Sequence, residues 1–257
     1  MASKIVRIEA WACVLPLGHA LTIGPFKVRQ RSHLAVRVRT SDGLQAECVT
    51  QTRGSPLDVM VADVIAPRLI GCDAHDIEAC RAQLKQDLVA MEFDGAVGRA
   101  WSAIEICLYD LCAQAAGWPL WRLLGARQRR PVEAMVVEGY AIEGESDAQF
   151  VDRLLERVAQ GFRRIKLEAG HYGASDALPR RLSEFRRQAG AGCRLVLDFA
   201  WTWQRAEQGL KLASTVGAYG LDWLEDPMER TLVQEYRLLR ERAGMPIGCG
   251  DETSRAA

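Results

Sequence analysis

The spacing of apolar residues changes along the chain. In residues 33–40 apolar and polar side chains alternate, as they do in a strand with one buried face. A turn at residues 41–43, Ser-Asp-Gly, follows directly, so this stretch predicts a β-hairpin. Residues 16–31 are rich in glycine and proline and predict a loop between two strands.

From residue 56 the apolar residues recur at helical spacing. The pattern predicts helices over residues 56–71, 73–91 and 98–117. Asp73 is the predicted N-cap of the second helix, because its side chain can accept a hydrogen bond from a free backbone N–H. Gly117 is the predicted end of the third helix, since glycine readily adopts the left-handed conformation of a helix C-terminus.

After residue 130, short apolar runs alternate with amphipathic helices. Strands are predicted at residues 132–139, 164–168, 194–198, 221–225 and 246–249, and helices at residues 147–160, 175–189, 205–216 and 232–243. Repeated strand–helix units indicate a parallel sheet covered by helices. The chain therefore divides into an α+β domain, residues 1–130, and a βα-repeat domain, residues 131–257.

An acidic residue follows or ends four successive strands of this repeat. These residues are Glu168, Asp198, Glu225 and Asp251. Functional groups of parallel α/β folds gather at the C-terminal ends of the strands, although any one acid could be a helix cap or a loop residue. Carboxylates that converge there repel one another unless a cation holds them.

Three of these acids, Asp198, Glu225 and Asp251, are candidate metal ligands. Their side chains offer hard oxygen atoms without histidine or cysteine, a donor set that suits Mg²⁺ or Mn²⁺ rather than zinc. The adjacent acids Asp226 and Glu252 alternate to the other side of the strand. Because the register at "GDE" is open, Glu252 is the reserve ligand.

Composition narrows the class of protein further. The 257 residues carry a formal net charge of zero, which gives no reason to expect nucleic acid or a membrane surface as partner. The first residues, "MASKIVRIEAW", contain no long apolar run, so we expect neither a secretory signal nor a transmembrane helix. The eight cysteines are scattered and several lie in apolar runs, which predicts reduced core residues in a cytoplasmic protein.

Taken in order, several motifs resemble the enolase superfamily, in particular the mandelate racemase and muconate-lactonizing enzyme group. The stretches "HLAVRVRTSDGLQAE" and "GRAWSAIEICLYDLCAQAAGWPLWRLLGA" are similar to its N-terminal domain, and "IKLE", "LVLD", "WLEDP" and "GDET" to its second to fifth barrel strands. Asp198 and Glu225 are 27 residues apart, and Glu225 and Asp251 are 26 residues apart. The resemblance covers nearly the whole chain.

This resemblance implies a capping domain followed by a (β/α)-barrel domain with an essential Mg²⁺ at Asp198, Glu225 and Asp251. It implies removal of a proton α to a substrate carboxylate, with loops near residues 16–30 and 50–56 closing over the substrate. His19 lies in the first of these loops, where it could contact substrate or be solvated. The implied partner is a small-molecule carboxylate, and a homo-oligomer stays open.

Two positions depart from the family pattern. The second strand usually carries Lys-x-Lys, with the second lysine as the base, whereas this chain has Lys166-x-Glu168. Lys166 matches the lysine that contacts the substrate carboxylate. Glu168 could act as a base, accept a hydrogen bond from a sugar hydroxyl, or pair with Lys166. Ala200 stands where the family often has asparagine, and Trp201 and Trp203 follow it as pocket or core residues.

We expect the barrel to be incomplete, with about five of its eight strands in this chain. The leading functional hypothesis is a Mg²⁺-dependent acid-sugar dehydratase or racemase/epimerase. A muconate-type cycloisomerase or a dipeptide epimerase is the alternative of the same class. An inactive relative with a binding role is the alternative of a different class, suggested by Glu168, Ala200 and the missing strands.

Overall fold

The chain folds into two compact units. The computed structural model describes residues 2–91, 93–173 and 175–250. Of the described residues, one unit contains those up to Leu17 together with Gln30–Pro131, and the other contains Gly18–Arg29 and those from Val132 to Gly250. The segment Gly18–Arg29 thus belongs to the second unit, whereas the sequence pattern assigns it to the first domain.

An antiparallel sheet forms the first element group. Its strands are β1 (Ile5–Ile23), β2 (Phe26–Thr40) and β3 (Gln45–Gln51), in the order β1-β2-β3. The predicted alternation is confirmed, because Leu34, Val36 and Val38 are buried in one core cluster. β2 and β3 pair in antiparallel register across the predicted turn.

The predicted loop at residues 16–31 is wrong. β1 and β2 continue through it and reverse direction at Gly24 and Pro25. Gly24 has a φ of +50°, a left-handed conformation that glycine adopts without steric cost. The glycine and proline of this stretch therefore make a tight turn between two strands.

Helices complete the first unit. They are α1 (Leu57–Val59), a π-helical segment (Met60–Ile65), α2 (Ala66–Leu69), α3 (Ile77–Asp87), a 3₁₀ turn (Val89–Met91), α4 (Gly95–Ala116) and α5 (Leu120–Leu123). α4 buries Trp101, Ile104, Leu108 and Leu111 in the core cluster. It ends as predicted at Gly117, which has a φ of +64°.

The N-cap predicted for the second helix is wrong. α3 begins at Ile77, and its cap is Asp76, whose side chain accepts a hydrogen bond from the Ala79 N–H at 3.0 Å. Asp73 lies before the helix and accepts a bond from the His75 N–H instead. Both aspartates fit a cap by residue type, so the backbone path decides between them.

The second unit is a parallel sheet with intervening helices. Its elements are β4 (Val136–Glu138), α6 (Asp147–Ala159), β5 (Arg164–Glu168), α7 (Ala177–Ala189), β6 (Arg194–Asp198), α8 (Ala206–Val216), β7 (Leu221–Glu225), α9 (Val233–Arg242) and β8 (Ile247–Gly248). Short 3₁₀ turns lie at Gly170–Tyr172 and Gly217–Tyr219. The strand order is β4-β5-β6-β7-β8, all parallel. The predicted barrel-type architecture is confirmed, with five strands in the described residues.

Apolar core residues and charged residues alternate along β5. Ile165 and Leu167 are fully buried in the second core cluster, which also contains Phe150 of α6 and Phe185 of α7. Intervening residues of a strand project from the opposite face of the sheet. Lys166 and Glu168 therefore face away from these helices.

The carboxylate at the end of β4 serves the fold. Glu138 is buried, and its side chain accepts hydrogen bonds from Arg153 and Arg157 of α6. Arg153 also pairs with Glu145, in the segment that precedes α6. These contacts connect the end of β4 with the helix that follows it.

Two sequence expectations concern the environment of the protein. In the described part of the chain, no helix is long and apolar enough to cross a membrane. All eight cysteines are free thiols. Cys80, Cys107 and Cys193 are buried as predicted, whereas Cys13 and Cys249 are exposed.

Candidate active site

The ends of three neighbouring strands bring three acidic residues into line. In the parallel register of the sheet, Glu168 of β5 lies opposite Asp198 of β6, and Asp198 lies opposite Glu225 of β7. The sequence pattern predicts this alignment, because each residue ends an apolar run of similar length. The three carboxylates have different partners.

Lys166 connects two of the three carboxylates. Its Nζ lies 2.9 Å from Asp198 Oδ2 and 2.6 Å from Glu225 Oε1. Burial disfavours the charged amine, but the hydrogen bonds and charges of Glu225 and Asp198 outweigh it and raise the Lys166 pKa above its ordinary value. Burial raises the pKa of Asp198, and the Lys166 ammonium partly offsets this shift.

Fixed donors orient the same two carboxylates from the other side. The Ala200 N–H donates to Asp198 Oδ1 at 3.0 Å, and Trp223 Nε1–H donates to Glu225 Oε2 at 2.9 Å. Each carboxylate therefore holds one oxygen against Lys166 and the other against a donor of its own strand region. This arrangement preorganises two carboxylates around one positive charge.

Glu168 has a different set of partners. Its side chain is buried, and Oε1 accepts hydrogen bonds from the Gly24 N–H at 2.8 Å and the Gly170 N–H at 3.0 Å. Oε2 lies 2.8 Å from Nδ1 of His171. Lys166 bonds to the other two acids, so the alternative in which Glu168 pairs with Lys166 is wrong, and the other two alternatives stay open.

Backbone around Glu168 is packed without room for side chains. A Cβ on Gly170 would lie 2.5 Å from the Phe199 carbonyl oxygen and 2.9 Å from Gly24 Cα. A Cβ on Gly24 would lie 3.0 Å from Ala200 Cβ. Gly24 belongs to the same unit as Glu168, so the hairpin turn forms one wall of the environment of this carboxylate.

Three residues just beyond strands β6 and β7 have left-handed backbone. Ala200 has a φ of +45°, Trp201 a φ of +62° and Asp226 a φ of +39°, conformations that cost a non-glycine residue about 1–2 kcal/mol. Asp226 is buried and accepts a hydrogen bond from the Gly250 N–H at 3.1 Å. Its carboxylate thus has a backbone partner in the segment that follows β8.

Other candidates from the sequence lie elsewhere. Trp203 is buried against Phe199, with ring centroids 4.2 Å apart, and packs close to Gly209 of α8, so it is a core residue. His19 is exposed on β1. Asp251 and the reserve ligand Glu252 lie outside the described residues.

His171 is the residue that the sequence analysis missed. It follows Glu168 by three positions in the 3₁₀ turn after β5, and its side chain is 15% exposed. The spacing Glu-x-x-His is visible in the sequence. This spacing alone carries little information, because it occurs both where a turn follows a strand and on the surface of a helix.

The donor chemistry at the strand ends fits a divalent magnesium ion. Asp198 and Glu225 offer oxygen atoms that converge within reach of one cation, here the Lys166 ammonium. Within residues 2–91, 93–173 and 175–250, no group of three histidine, cysteine or acidic residues is placed to hold a metal. The third predicted ligand, Asp251, is outside these ranges.

Comparison with protein families decides the family. Residues 3–125 match the domain family described as "Mandelate racemase / muconate lactonizing enzyme, N-terminal domain". Residues 149–256 match the domain family described as "Enolase C-terminal domain-like". The chain belongs to the mandelate racemase / muconate lactonizing enzyme family. The predicted family and fold class are confirmed.

Curated relatives of the chain are dehydratases and cycloisomerases by name. The chain is 26% identical to D-mannonate dehydratase of Rhizorhabdus wittichii, over 86% of the chain and 62% of the relative. It is 28% identical to L-talarate/galactarate dehydratase of Salmonella typhimurium, over 74% of the chain and 47% of the relative. It is 29% identical to 3,6-anhydro-alpha-L-galactonate cycloisomerase of Streptomyces coelicolor, over 85% and 60%. The chain thus spans less than two thirds of the length of these relatives.

Solved structures of the family share the fold. The L-talarate/galactarate dehydratase of Salmonella typhimurium superimposes with a TM-score of 0.87 at 22% identity, over 98% of this chain and 65% of that one. A racemase from Streptomyces coelicolor with bound magnesium gives a TM-score of 0.86 at 25% identity, over 96% and 69%. Both therefore contain more chain than the protein described here.

Proposed function

We propose that the protein removes the proton α to the carboxylate of an acid sugar, with Mg²⁺ as cofactor, and that dehydration is the overall reaction. One observation carries the proposal: Lys166, Asp198 and Glu225 converge at the ends of adjacent strands in a chain of this family. Similarity to two named sugar-acid dehydratases supports the substrate class.

Asp198, Glu225 and Asp251 would hold the Mg²⁺, and the ion would supply positive charge for the electrons that move onto the substrate carboxylate. Lys166 would orient that carboxylate by charge, since its ammonium lies at the site within 2.9 Å of Asp198 and 2.6 Å of Glu225. The Ala200 N–H and Trp223 Nε1–H keep the two acids from rotating. Glu168 fixes the hairpin turn through Gly24.

Cycloisomerisation is the second candidate. Two relatives of comparable similarity are named cycloisomerases, D-galactarolactone cycloisomerase of Agrobacterium fabrum at 28% identity and the Streptomyces coelicolor enzyme at 29%. Both candidates begin with loss of an acidic C–H proton. They differ in the product, which has lost water in dehydration and is an isomer of the substrate in cycloisomerisation.

The test uses the complete protein with aldonic acids, aldaric acids and their lactones in D₂O, with Mg²⁺ or with a chelator. We expect NMR to show Mg²⁺-dependent loss of the α-proton signal and a dehydrated keto-acid product. Asp198→Asn and Glu225→Gln should abolish both, and Glu184→Gln, which changes an exposed carboxylate, should abolish neither.

Two results would contradict the proposal in different ways. Equal Mg²⁺ affinity in the wild type and in both the Asp198→Asn and Glu225→Gln variants would show that the metal site does not exist. Mg²⁺ binding without exchange of any acid would favour the inactive relative with a binding role. A product isomeric with its substrate would support a cycloisomerase or a racemase/epimerase in place of dehydration.

A further inference from the structure

We propose that His171 is the catalytic base next to β5 and that Glu168 is its positioning residue. This inference rests on the proposed function, and it reassigns the proton transfer from the strand residue Glu168 to the turn residue three positions later. The geometry of the pair carries it: Nδ1 of His171 lies 2.8 Å from Oε2 of a buried glutamate.

Glu168 is poorly arranged to be the base itself. Oε1 accepts two backbone hydrogen bonds, from the Gly24 N–H and the Gly170 N–H, which uses both of its lone pairs. Oε2 is engaged by His171. The side chain is only 3% exposed. A carboxylate held by three donors in this way is built to orient a neighbour.

His171 is left with one ring nitrogen for chemistry. An ionised carboxylate only accepts hydrogen bonds, so we infer that Nδ1 carries the hydrogen and that Nε2 of the neutral ring carries the lone pair. Within the described residues Nε2 has no hydrogen-bond partner. Nε2 is not one of the fully buried polar atoms without a partner, so it keeps some solvent-exposed surface.

Aromatic packing holds the imidazole ring in place. The ring lies against Tyr172, with centroids 4.0 Å apart and planes at 36°. Tyr172 is itself fixed, because its hydroxyl accepts a hydrogen bond from Arg181 at 2.8 Å and its ring meets Phe150 edge-on. Contacts on the ring face and at Nδ1 therefore set the direction of Nε2.

The proposed step is balanced without any further reactant. The Nε2 lone pair takes the proton from the α-carbon, the C–H bond breaks, and its electron pair moves into the substrate carboxylate. The imidazole becomes an imidazolium ion paired with the Glu168 carboxylate. In D₂O the ring exchanges this proton with solvent and returns a deuteron to the α-carbon.

Glu168→Gln tests the tautomer directly. The glutamine oxygen would accept the Gly24 and Gly170 N–H groups, which leaves its NH₂ group facing His171. That NH₂ donates to Nδ1, so the hydrogen of the imidazole moves to Nε2 and the lone pair needed for proton abstraction is lost. The substitution changes neither side-chain size nor its number of hydrogen-bonding atoms.

The first measurement is long-range ¹H–¹⁵N NMR of the complete, uniformly labelled protein, at a pH where the imidazole is neutral. The chain has four histidines, and His171→Gln assigns the signal by its loss. We expect the Nδ1–H tautomer in the wild type and in Glu184→Gln, and the Nε2–H tautomer in Glu168→Gln. An Nε2–H tautomer in the wild type would overturn the proposal.

The second measurement is α-proton exchange in D₂O with an acid that the wild type exchanges. His171→Asn keeps an N–H near the position of Nδ1 and removes Nε2, so we expect at least a 100-fold loss of exchange, as for other general bases. We expect a similar loss for Glu168→Gln, with Mg²⁺ affinity unchanged in both. Circular dichroism shows whether each variant is folded.

The two proposals fail in distinguishable ways. If the wild type exchanges an acid and folded His171→Asn exchanges it within about threefold, the base lies elsewhere while the proposed function stands. If the wild type exchanges no acid at all, the proposed function fails and the catalytic role of His171 fails with it. The NMR experiment then still decides whether Glu168 sets the tautomer.

Discussion

At the residue scale, Gly170 is the position with the least space in the site. An added Cβ would meet backbone atoms of Phe199 and Gly24, at 2.5 and 2.9 Å, and backbone cannot move aside as a side-chain end can. We therefore expect Gly170→Ala to lower the free energy of unfolding by about 1–3 kcal/mol, as overpacking does. Urea denaturation of both proteins measures the difference.

Gly192→Ala is the matched control. Gly192 has no atom within 4 Å of its added Cβ, and its φ lies outside the left-handed region, as does that of Gly170. The free energy of unfolding of Gly192→Ala should differ from that of the wild type by less than about 0.5 kcal/mol. If the two variants unfold at the same urea concentration, the close packing around Glu168 is not a constraint on the fold.

The residue scale also shows where sequence reasoning ends. The alternation of apolar and charged residues correctly predicts that Lys166 and Glu168 face away from the core. It cannot predict that Glu168 bonds to the N–H of Gly24, which is 144 positions away in sequence. The partner of a buried carboxylate depends on which distant backbone the fold brings to it, and no local pattern contains that information.

At the element scale, Glu138 fixes helix α6 to the end of β4. Its buried carboxylate accepts from two arginines, so Glu138→Ala would leave their charges without this partner. Loss of one member of a buried ion pair costs about 3–5 kcal/mol, and the second partner of Arg153, Glu145, places this variant at the lower end.

Thermal unfolding of Glu138→Ala beside Glu184→Ala measures the contribution of burial. Glu184 pairs with Arg187 on the exposed face of α7, and such surface pairs contribute little. We expect a clear drop in midpoint temperature for the first variant and almost none for the second. Equal midpoints would mean that the Glu138 contacts do not stabilise the unit.

The stabilisation that the contact between α6 and α7 contributes should depend on pH. Asp147, the first residue of α6, accepts hydrogen bonds from Arg180 and Arg181 of α7, and these bonds hold its pKa below the usual 3.8. A carboxyl whose pKa is lower in the folded state stabilises the fold above its unfolded pKa, and this contribution disappears as the pH falls through the folded pKa.

Asp147→Asn removes this ionisation. At pH 6 we expect the variant to be less stable by about 0.2–1 kcal/mol for each of the two pairs, because the Asp147 carboxylate is partly exposed to solvent. The difference from the wild type should shrink as the pH falls below 3.8. Chemical denaturation at several pH values measures it, and a difference that grows toward low pH would have the wrong sign for this ion pair.

Element prediction succeeded where a local pattern is sufficient. The strands β5, β6 and β7 have their predicted bounds, because each is a short apolar run between turn residues. The loop predicted at residues 16–31 is wrong for the opposite reason. Glycine and proline are common in loops, and the pairing of β1 with β2 depends on tertiary structure that a local pattern does not contain. The cap of α3 depends likewise on backbone path.

At the scale of the whole molecule, ligand binding should stabilise the fold by mass action. Mg²⁺ that binds only the folded protein adds about 2.7 kcal/mol at a concentration 100 times its dissociation constant. Asp198 and Glu225 end neighbouring strands of one sheet, so a cation held by both also resists separation of β6 from β7. The expected stabilisation therefore belongs to the second unit.

Hydrogen exchange with and without Mg²⁺, at constant ionic strength, tests this expectation. Amide protection should rise in β5, β6 and β7, and the exchange rates of α4 in the first core should change little, because α4 contributes no proposed ligand. In Asp198→Asn the increase should disappear, since one of the carboxylates that bind the cation is lost. The same increase in Asp198→Asn as in the wild type would show that Mg²⁺ binds elsewhere in the protein.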